Sequence, residues 1–135
     1  MHYMLDTNIC IHLIKADSPS VTARFERARV GEVVMSVMTH AELSHGVERY
    51  SGLLRAQAAN SLRQLADLVP VLPFDTHASA AYGVITAVVR DRRRDALDRL
   101  IAAHAIAVGA VLVTNNETDF RDYPGLQVEN WVRSA

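Results

Sequence analysis

The chain has 135 residues, 50% of them hydrophobic and 21% charged, a length suited to one folded domain and short for a second independent core. Fourteen Lys+Arg against fifteen Asp+Glu leave a formal net charge of -1, so no global positive field draws in nucleic acid, and any RNA or DNA contact must be local. The longest apolar run, Ile101 to Val113, is interrupted by His104 and falls short of the roughly 20 residues of a membrane span. Cys10 is the sole cysteine, and no basic flank leads into an apolar stretch and cleavage site near the N-terminus, so the expectation is a cytoplasmic protein without disulfides. Lys15 is the sole lysine among the fourteen basic residues, a bias that codon usage in a GC-rich genome explains as well as phosphate binding does.

His2 to Leu5 is short and apolar and gives way at once to Asp6-Thr7-Asn8, the pattern of a buried strand handing over to a helix that runs to about Ile14. Ser18-Pro19 opens a second, amphipathic helix. Val33 to Val37 reads as a strand, and Thr39 as the start of a helix carrying Glu42, Leu43 and Val47. Leu53 to Leu68 is a long helix ended by Val69-Pro70. Val71 to Phe74 is a short strand whose proline argues for a sheet edge or a strand end. Asp75 caps a helix from Thr76 to about Arg90, and the charge-dense segment from Arg90 to Asp95 follows. A helix from Ala96 to Val108 stops at Gly109, and Ala110 to Val113 is a buried strand. Pro124-Gly125 makes a turn before a last short strand within Leu126 to Trp131.

Strands alternating with helices through short connections favour a parallel sheet covered on both faces, and such sheets bind ligands at the carboxyl ends of their strands. Asp6 falls there, as do Thr39 to Glu42 and Asn115 to Asp119, while Asp98 joins them from the first turns of the helix that feeds the buried strand. Four acidic side chains approaching one another repel, so each takes up a proton or is neutralised by a cation. Oxygen-only ligands suit magnesium or manganese, and the chemistry implied is metal-assisted phosphodiester hydrolysis. Each residue also has a purely structural reading. Asp6 serves as an N-cap; Thr39 and Glu42 fit a capping box; Asp98 pairs with Arg94 on the surface; Asn115-Asn116 forms a turn, with Asp119 capping a short helix. His40 and His45 do not share a helical face, so no zinc site is expected. His104 among Ile101, Ala105 and Val108 reads as a hydrogen-bonded core histidine, and Arg92, Arg93 and Arg94 as a solvated loop or a hold on an RNA backbone.

Four blocks carry a resemblance: Met4-Leu5-Asp6-Thr7-Asn8-Ile9-Cys10-Ile11; Ser36-Val37-Met38-Thr39-His40-Ala41-Glu42-Leu43 followed by Gly46; Asp98-Arg99-Leu100-Ile101-Ala102-Ala103-His104-Ala105; and Val113-Thr114-Asn115-Asn116-Glu117-Thr118-Asp119-Phe120. In this order they resemble PIN domains, and more closely the VapC-type toxins of bacterial toxin–antitoxin pairs. The resemblance implies one PIN domain over residues 1–135, an α/β fold with a central parallel sheet flanked by helices on both faces. It implies a magnesium- or manganese-dependent endoribonuclease whose acidic quartet, catalytic and metal-binding, falls on Asp6, Glu42, Asp98 and Asp119, with Asn8, Thr114 and Asn116 as supporting polar residues. It further implies a homodimer, a VapB-like antitoxin that covers the catalytic groove and binds operator DNA through its own domain, and an RNA substrate, expected to be tRNA cut at the anticodon stem-loop, initiator tRNA among them. Many relatives carry a Gly- and Pro-containing turn before the third acidic residue. Here Arg92-Arg93-Arg94-Asp95-Ala96-Leu97 stands in its place, which alters loop charge beside the site and makes these arginines candidates for RNA binding.

Three other readings are distinguishable. A phosphoacceptor receiver domain needs a lysine after a late strand, and Lys15 lies early. A non-catalytic PIN-like module that binds RNA or a partner keeps its cellular effect when Asp6 is replaced by alanine. A DNA-directed PIN-like nuclease of the flap type carries additional elements for branched duplexes.

Overall fold

Strands and helices alternate with the polar punctuation of the sequence. The computed structural model describes residues 2–89 and 96–132. Within these the order is β1 (Tyr3–Leu5), α1 (Thr7–Lys15), α2 (Pro19–Glu26), β2 (Val33–Ser36), α3 (Val37–Val47), α4 (Gly52–Leu68), β3 (Val71–Leu72), α5 (Thr76–Val88), α6 (Ala96–Val108), β4 (Val111–Val113), α7 (Glu117–Phe120) and β5 (Gln127–Glu129). Every pairing is parallel, and the strand order is β3-β2-β1-β4-β5. From β1 the chain steps outward through β2 to β3, then returns to the other side of β1 for β4 and β5. The direction of winding therefore reverses between β1 and β4, which in an open parallel sheet marks the crevice where ligands bind.

Neighbouring residues of a strand point to opposite faces, and here both faces are buried. Leu5, Val33, Met35 and Val113 pack against Ile9 and Cys10 of α1, Val21 of α2, Leu43 and Val47 of α3 and Leu62 and Leu65 of α4. Met4, Val34 and Leu112 meet Ile85 of α5 and Ile101, Ala102 and Ala105 of α6 on the other side. This arrangement explains why the strands read as continuous apolar runs rather than alternating ones. No helix among the described residues is long and apolar enough to cross a membrane.

Side-chain caps fix where α1, α3 and α5 begin. Asp6 Oδ1 accepts from the Ile9 amide at 3.1 Å, and Asp75 Oδ1 from that of Ala78 at 3.1 Å. At α3 the expectation is corrected: the helix opens at Val37, not Thr39, because Ser36 is its N-cap, its Oγ accepting from the Met38 amide at 3.1 Å. Thr39 is fully buried inside the helix and its hydroxyl has no hydrogen-bond partner among the described residues, so no capping box joins it to Glu42. Asp119 likewise lies within α7, and Asn116 holds the N-cap position. Gly109 ends α6 with φ of 70°, and the Ala110 amide reaches back to the Ala105 carbonyl at 2.9 Å, a closure open to glycine at little steric cost.

The strands at either edge are shorter than the sequence pattern predicts. β3 is confined to Val71–Leu72 between Pro70 and Pro73, neither of which donates to a ladder. Beyond β5, Trp131 turns under the sheet. The Arg24 guanidinium of α2 lies 4.9 Å from the ring centre of Tyr3 and 4.8 Å from that of Trp131, and the Ser20 hydroxyl donates to the Val132 carbonyl at 2.8 Å. These contacts tie the segment after β5 to α2.

Candidate active site

The crevice between β1 and β4 is where polar side chains enter an otherwise apolar sheet. Asp6 follows β1 directly and is 7% exposed, and Thr114 follows β4 and is fully buried. The Asp6 amide donates to the Val113 carbonyl at 3.0 Å, which locks it across the two strands, and the Thr114 hydroxyl hydrogen-bonds the Asp6 carboxylate. Burial is the largest influence on this carboxyl and raises its pKa above the ordinary 3.8. Hydrogen bonds from Thr114 and from the Ile9 and Asn8 amides oppose the rise, and the negative field of Glu42 adds to it.

Glu42 projects from the second turn of α3, half-buried, and its Oε1 accepts from the Thr7 hydroxyl. The first residue of α1 therefore joins the end of β1 to α3. Asp98 is half-buried in the first turn of α6. Since α6 leads through Gly109 into the start of β4, it runs antiparallel to the strands, and its N-terminus stands at the same carboxyl edge as Asp6. Asp119 stands at that edge too, in the short helix after β4, where it accepts from the Asn116 side-chain amide. The Asn116 backbone amide donates to Thr114 Oγ1 at 3.0 Å, so β4, Asn116 and Asp119 form one connected turn. Asn8 is exposed beside Thr7 and Glu42 at the mouth of a cleft of about 510 Å³.

The fold thus brings Asp6 and Glu42 into electrostatic contact and sets Asp98 and Asp119 on the same edge from separate elements. Among the described residues it gathers no three His, Cys, Asp or Glu side chains into a cluster that holds a metal by itself. The donors are all oxygens, two carboxylates with the Thr7 and Thr114 hydroxyls close by. A buried carboxylate disfavoured by burial and by a second carboxylate is relieved by a cation, so the donor chemistry fits a hard divalent ion. Arg92, Arg93, Arg94 and Asp95 lie outside the described residues, as does the ion pair expected between Arg94 and Asp98.

Two contributors escape a reading of the sequence alone, Thr7 and Asn130. Thr7 stands in the Asp6-Thr7-Asn8 run, and its placement on Glu42 depends on how α1 meets α3. Asn130 donates to Asn115 Oδ1 at 3.3 Å and to Glu117 Oε1 at 3.1 Å, bracing the turn after β4 from the carboxyl end of β5. His104, 1% exposed, bonds through Nδ1 to Ser36 Oγ at 2.8 Å. That contact makes His104 the hydrogen-bonded core histidine expected of it and joins α6 to the cap of α3.

Residues 3–126 match the PIN domain family. The chain is 35% identical to the tRNA(fMet)-specific endonuclease VapC of Shigella flexneri, over 97% of this chain and 98% of that one. It is 33% identical to ribonuclease VapC2 of Rickettsia felis, again over 97% of this chain and 98% of that one. The fold superposes with a TM-score of 0.88 and 31% identity on a crystal structure of Rickettsia felis VapBC2 bound to a DNA fragment from its promoter, covering 97% of this chain and 99% of that one.

Proposed function

The chain belongs to the PIN-domain family, among the VapC ribonucleases, and from that premise we propose that it is the toxin of a type II toxin–antitoxin pair, a metal-dependent endoribonuclease. One observation carries the reading. The full-length likeness to VapC ribonucleases coincides with a buried Asp6 that faces Glu42 at the reversal point of the sheet.

Asp6, Glu42, Asp98 and Asp119 are the residues assigned to hold magnesium or manganese. When bound, such an ion supplies an activated water and offsets negative charge on the phosphate, effects worth several kcal/mol each. The chain's own residues prepare the site. The Thr114 hydroxyl and the Ile9 amide fix the Asp6 carboxylate, so that it faces the edge without rearrangement. The Thr7 hydroxyl holds Glu42 against α1. Asn116 orients Asp119, and Asn8 offers an amide at the mouth of the cleft for a substrate oxygen. No side-chain nucleophile is needed.

The substrate assigned is RNA, and specifically tRNA at its anticodon stem-loop, a reading supported by the Shigella flexneri relative, named for tRNA(fMet). The partner assigned is a VapB-like antitoxin that carries the operator-DNA contact, supported by the VapBC2 complex on promoter DNA. The toxin acts as a homodimer in the bacterial cytoplasm.

The test is to incubate antitoxin-free protein with total bacterial RNA and magnesium or manganese, beside an Asp6→Asn variant and an EDTA control, and to map the 5′ ends. Discrete cuts in tRNA that both controls abolish are expected. A folded, metal-supplied wild type that leaves RNA intact overturns the reading.

A further inference from the structure

The cleft that opens at Glu42 changes character along its length. Thr7, Asn8 and Glu42 stand at one end; Lys15, Arg49 and Tyr50 line the other. Both α1 and α3 start where a strand ends, at the carboxyl edge of the sheet. Lys15 is the last residue of α1, and Arg49 lies just past the end of α3. Eight residues of helix separate Thr7 from Lys15, about 12 Å at 1.5 Å per residue. Both cations therefore sit where helix C-termini favour positive charge, one short stride from the carboxylates.

Their nearest acidic neighbours in sequence are engaged by other bases. Asp17 is bonded by His12 at 2.7 Å, and Glu48 by the Arg55 Nε and Nη2 at 3.0 and 2.6 Å. Neither Lys15 nor Arg49 has an ion pair among the described residues, and both are exposed. In a chain of net charge -1, these two exposed cations, of which Lys15 shares the field of Asp17 with His12, give the far end of the cleft a local positive field of the kind an RNA backbone requires. Tyr50, 51% exposed, supplies a ring next to them, while Ile11 and Leu43 form apolar wall between the two ends.

We propose that this basic end is a subsite for a single-stranded RNA segment flanking the scissile phosphate, with Lys15 and Arg49 on neighbouring phosphates and Tyr50 stacked on an unpaired base. The inference rests on the ribonuclease reading and narrows it. A base reaches a tyrosine ring only where it is unpaired, so the enzyme selects loops over duplexes.

The test measures binding of a 5′-labelled single-stranded RNA oligonucleotide by fluorescence anisotropy across a salt series, in the cleavage-suppressed Asp6→Asn background. Adding Lys15→Gln and Arg49→Gln together is expected to weaken binding at least tenfold and to flatten the slope of log K against log salt by about 1.4, since each phosphate contact on a single strand contributes about 0.7. Tyr50→Ala is expected to weaken binding with the slope unchanged. With Asp6 intact, the double substitution is expected to raise KM for a tRNA stem-loop far more than it lowers kcat. All three side chains are exposed, so thermal melting serves to show that each variant folds. Unchanged affinity and slope in the double variant overturn the proposal. So does a loss confined to antitoxin binding, which marks the cleft as a protein dock. Failure of the ribonuclease reading is separate: it appears as absence of cleavage by the wild type, whatever the binding series shows.

Discussion

Asp6 does two jobs with opposing demands. As N-cap it contributes about 0.5–2 kcal/mol to α1 by accepting the Ile9 amide, and asparagine caps as well. As a charged group it is penalised, because burial and then Glu42 raise its pKa above 3.8. The sign follows from proton counting. Between 3.8 and the raised value the folded chain binds more protons than the unfolded one, so stability falls as pH rises through that window and stays lower at neutral pH. Asp6→Asn is therefore expected to abolish cleavage yet melt at a higher temperature than the wild type at pH 7 in EDTA, with the gap closing at pH 3. Thermal scans at the two pH values check this; an Asn variant less stable than the wild type at pH 7 refutes it. The place of Asp6 was legible in the sequence, since an acidic residue directly after an apolar strand lies on a sheet edge whatever the topology. The contact between Thr7 and Glu42 was not, because it depends on the packing of α1 on α3 rather than on local pattern.

Between elements, one buried contact links the helices that carry Glu42 and Asp98. Ser36 Oγ accepts the first-turn amide of α3 and bonds His104 Nδ1 of α6 at 2.8 Å, six residues from Glu42 on one side and six from Asp98 on the other. Burial lowers the pKa of His104 below 6.5, against the pull of Asp75 and of the Pro73 carbonyl. Below pH 6.5 the unfolded chain takes up a proton that the folded chain refuses, so stability falls as pH drops toward the lowered value. His104→Gln keeps an acceptor for Ser36 and removes the titration. Urea unfolding at pH 7 and pH 5 is expected to show a smaller loss in the variant, and an equal loss in both proteins counts against the account. The same region shows why element boundaries were harder to read than elements. Val37 extends the apolar run of β2 in composition while belonging to α3 in structure, since the Ser36 hydroxyl cap outweighs the β-branched side chain that follows it.

Across the whole molecule, the alternation of apolar strand and helix sufficed to infer a parallel sheet covered on both sides. The order β3-β2-β1-β4-β5 was beyond the residues alone, since short connections fix neighbours less firmly than they fix direction. With the order known, the brace from Asn130 to Asn115 and Glu117 follows from β5 lying next to β4. The sheet also dictates how a ligand at its edge acts on stability, because the assigned carboxylates come from elements spread along the chain. An ion that binds only the folded arrangement stabilises by RT ln(1 + [L]/Kd), about 2.7 kcal/mol at a hundredfold excess over Kd. Magnesium or manganese is thus expected to raise the melting temperature of the wild type, and to do so much less for Asp6→Asn. Equal shifts in both proteins place the ion elsewhere.

The pairing of β1 with β4 has a consequence for how the protein comes into being. Tyr3 pairs with Val111 and Leu5 with Val113, so during synthesis β1 waits for β4, far later in the chain, to complete its flank. Until Thr114 emerges, Asp6 lacks its hydroxyl partner, and the turn that carries Asp119 does not exist. A chain cut short before β4 therefore lacks both that partner and that turn.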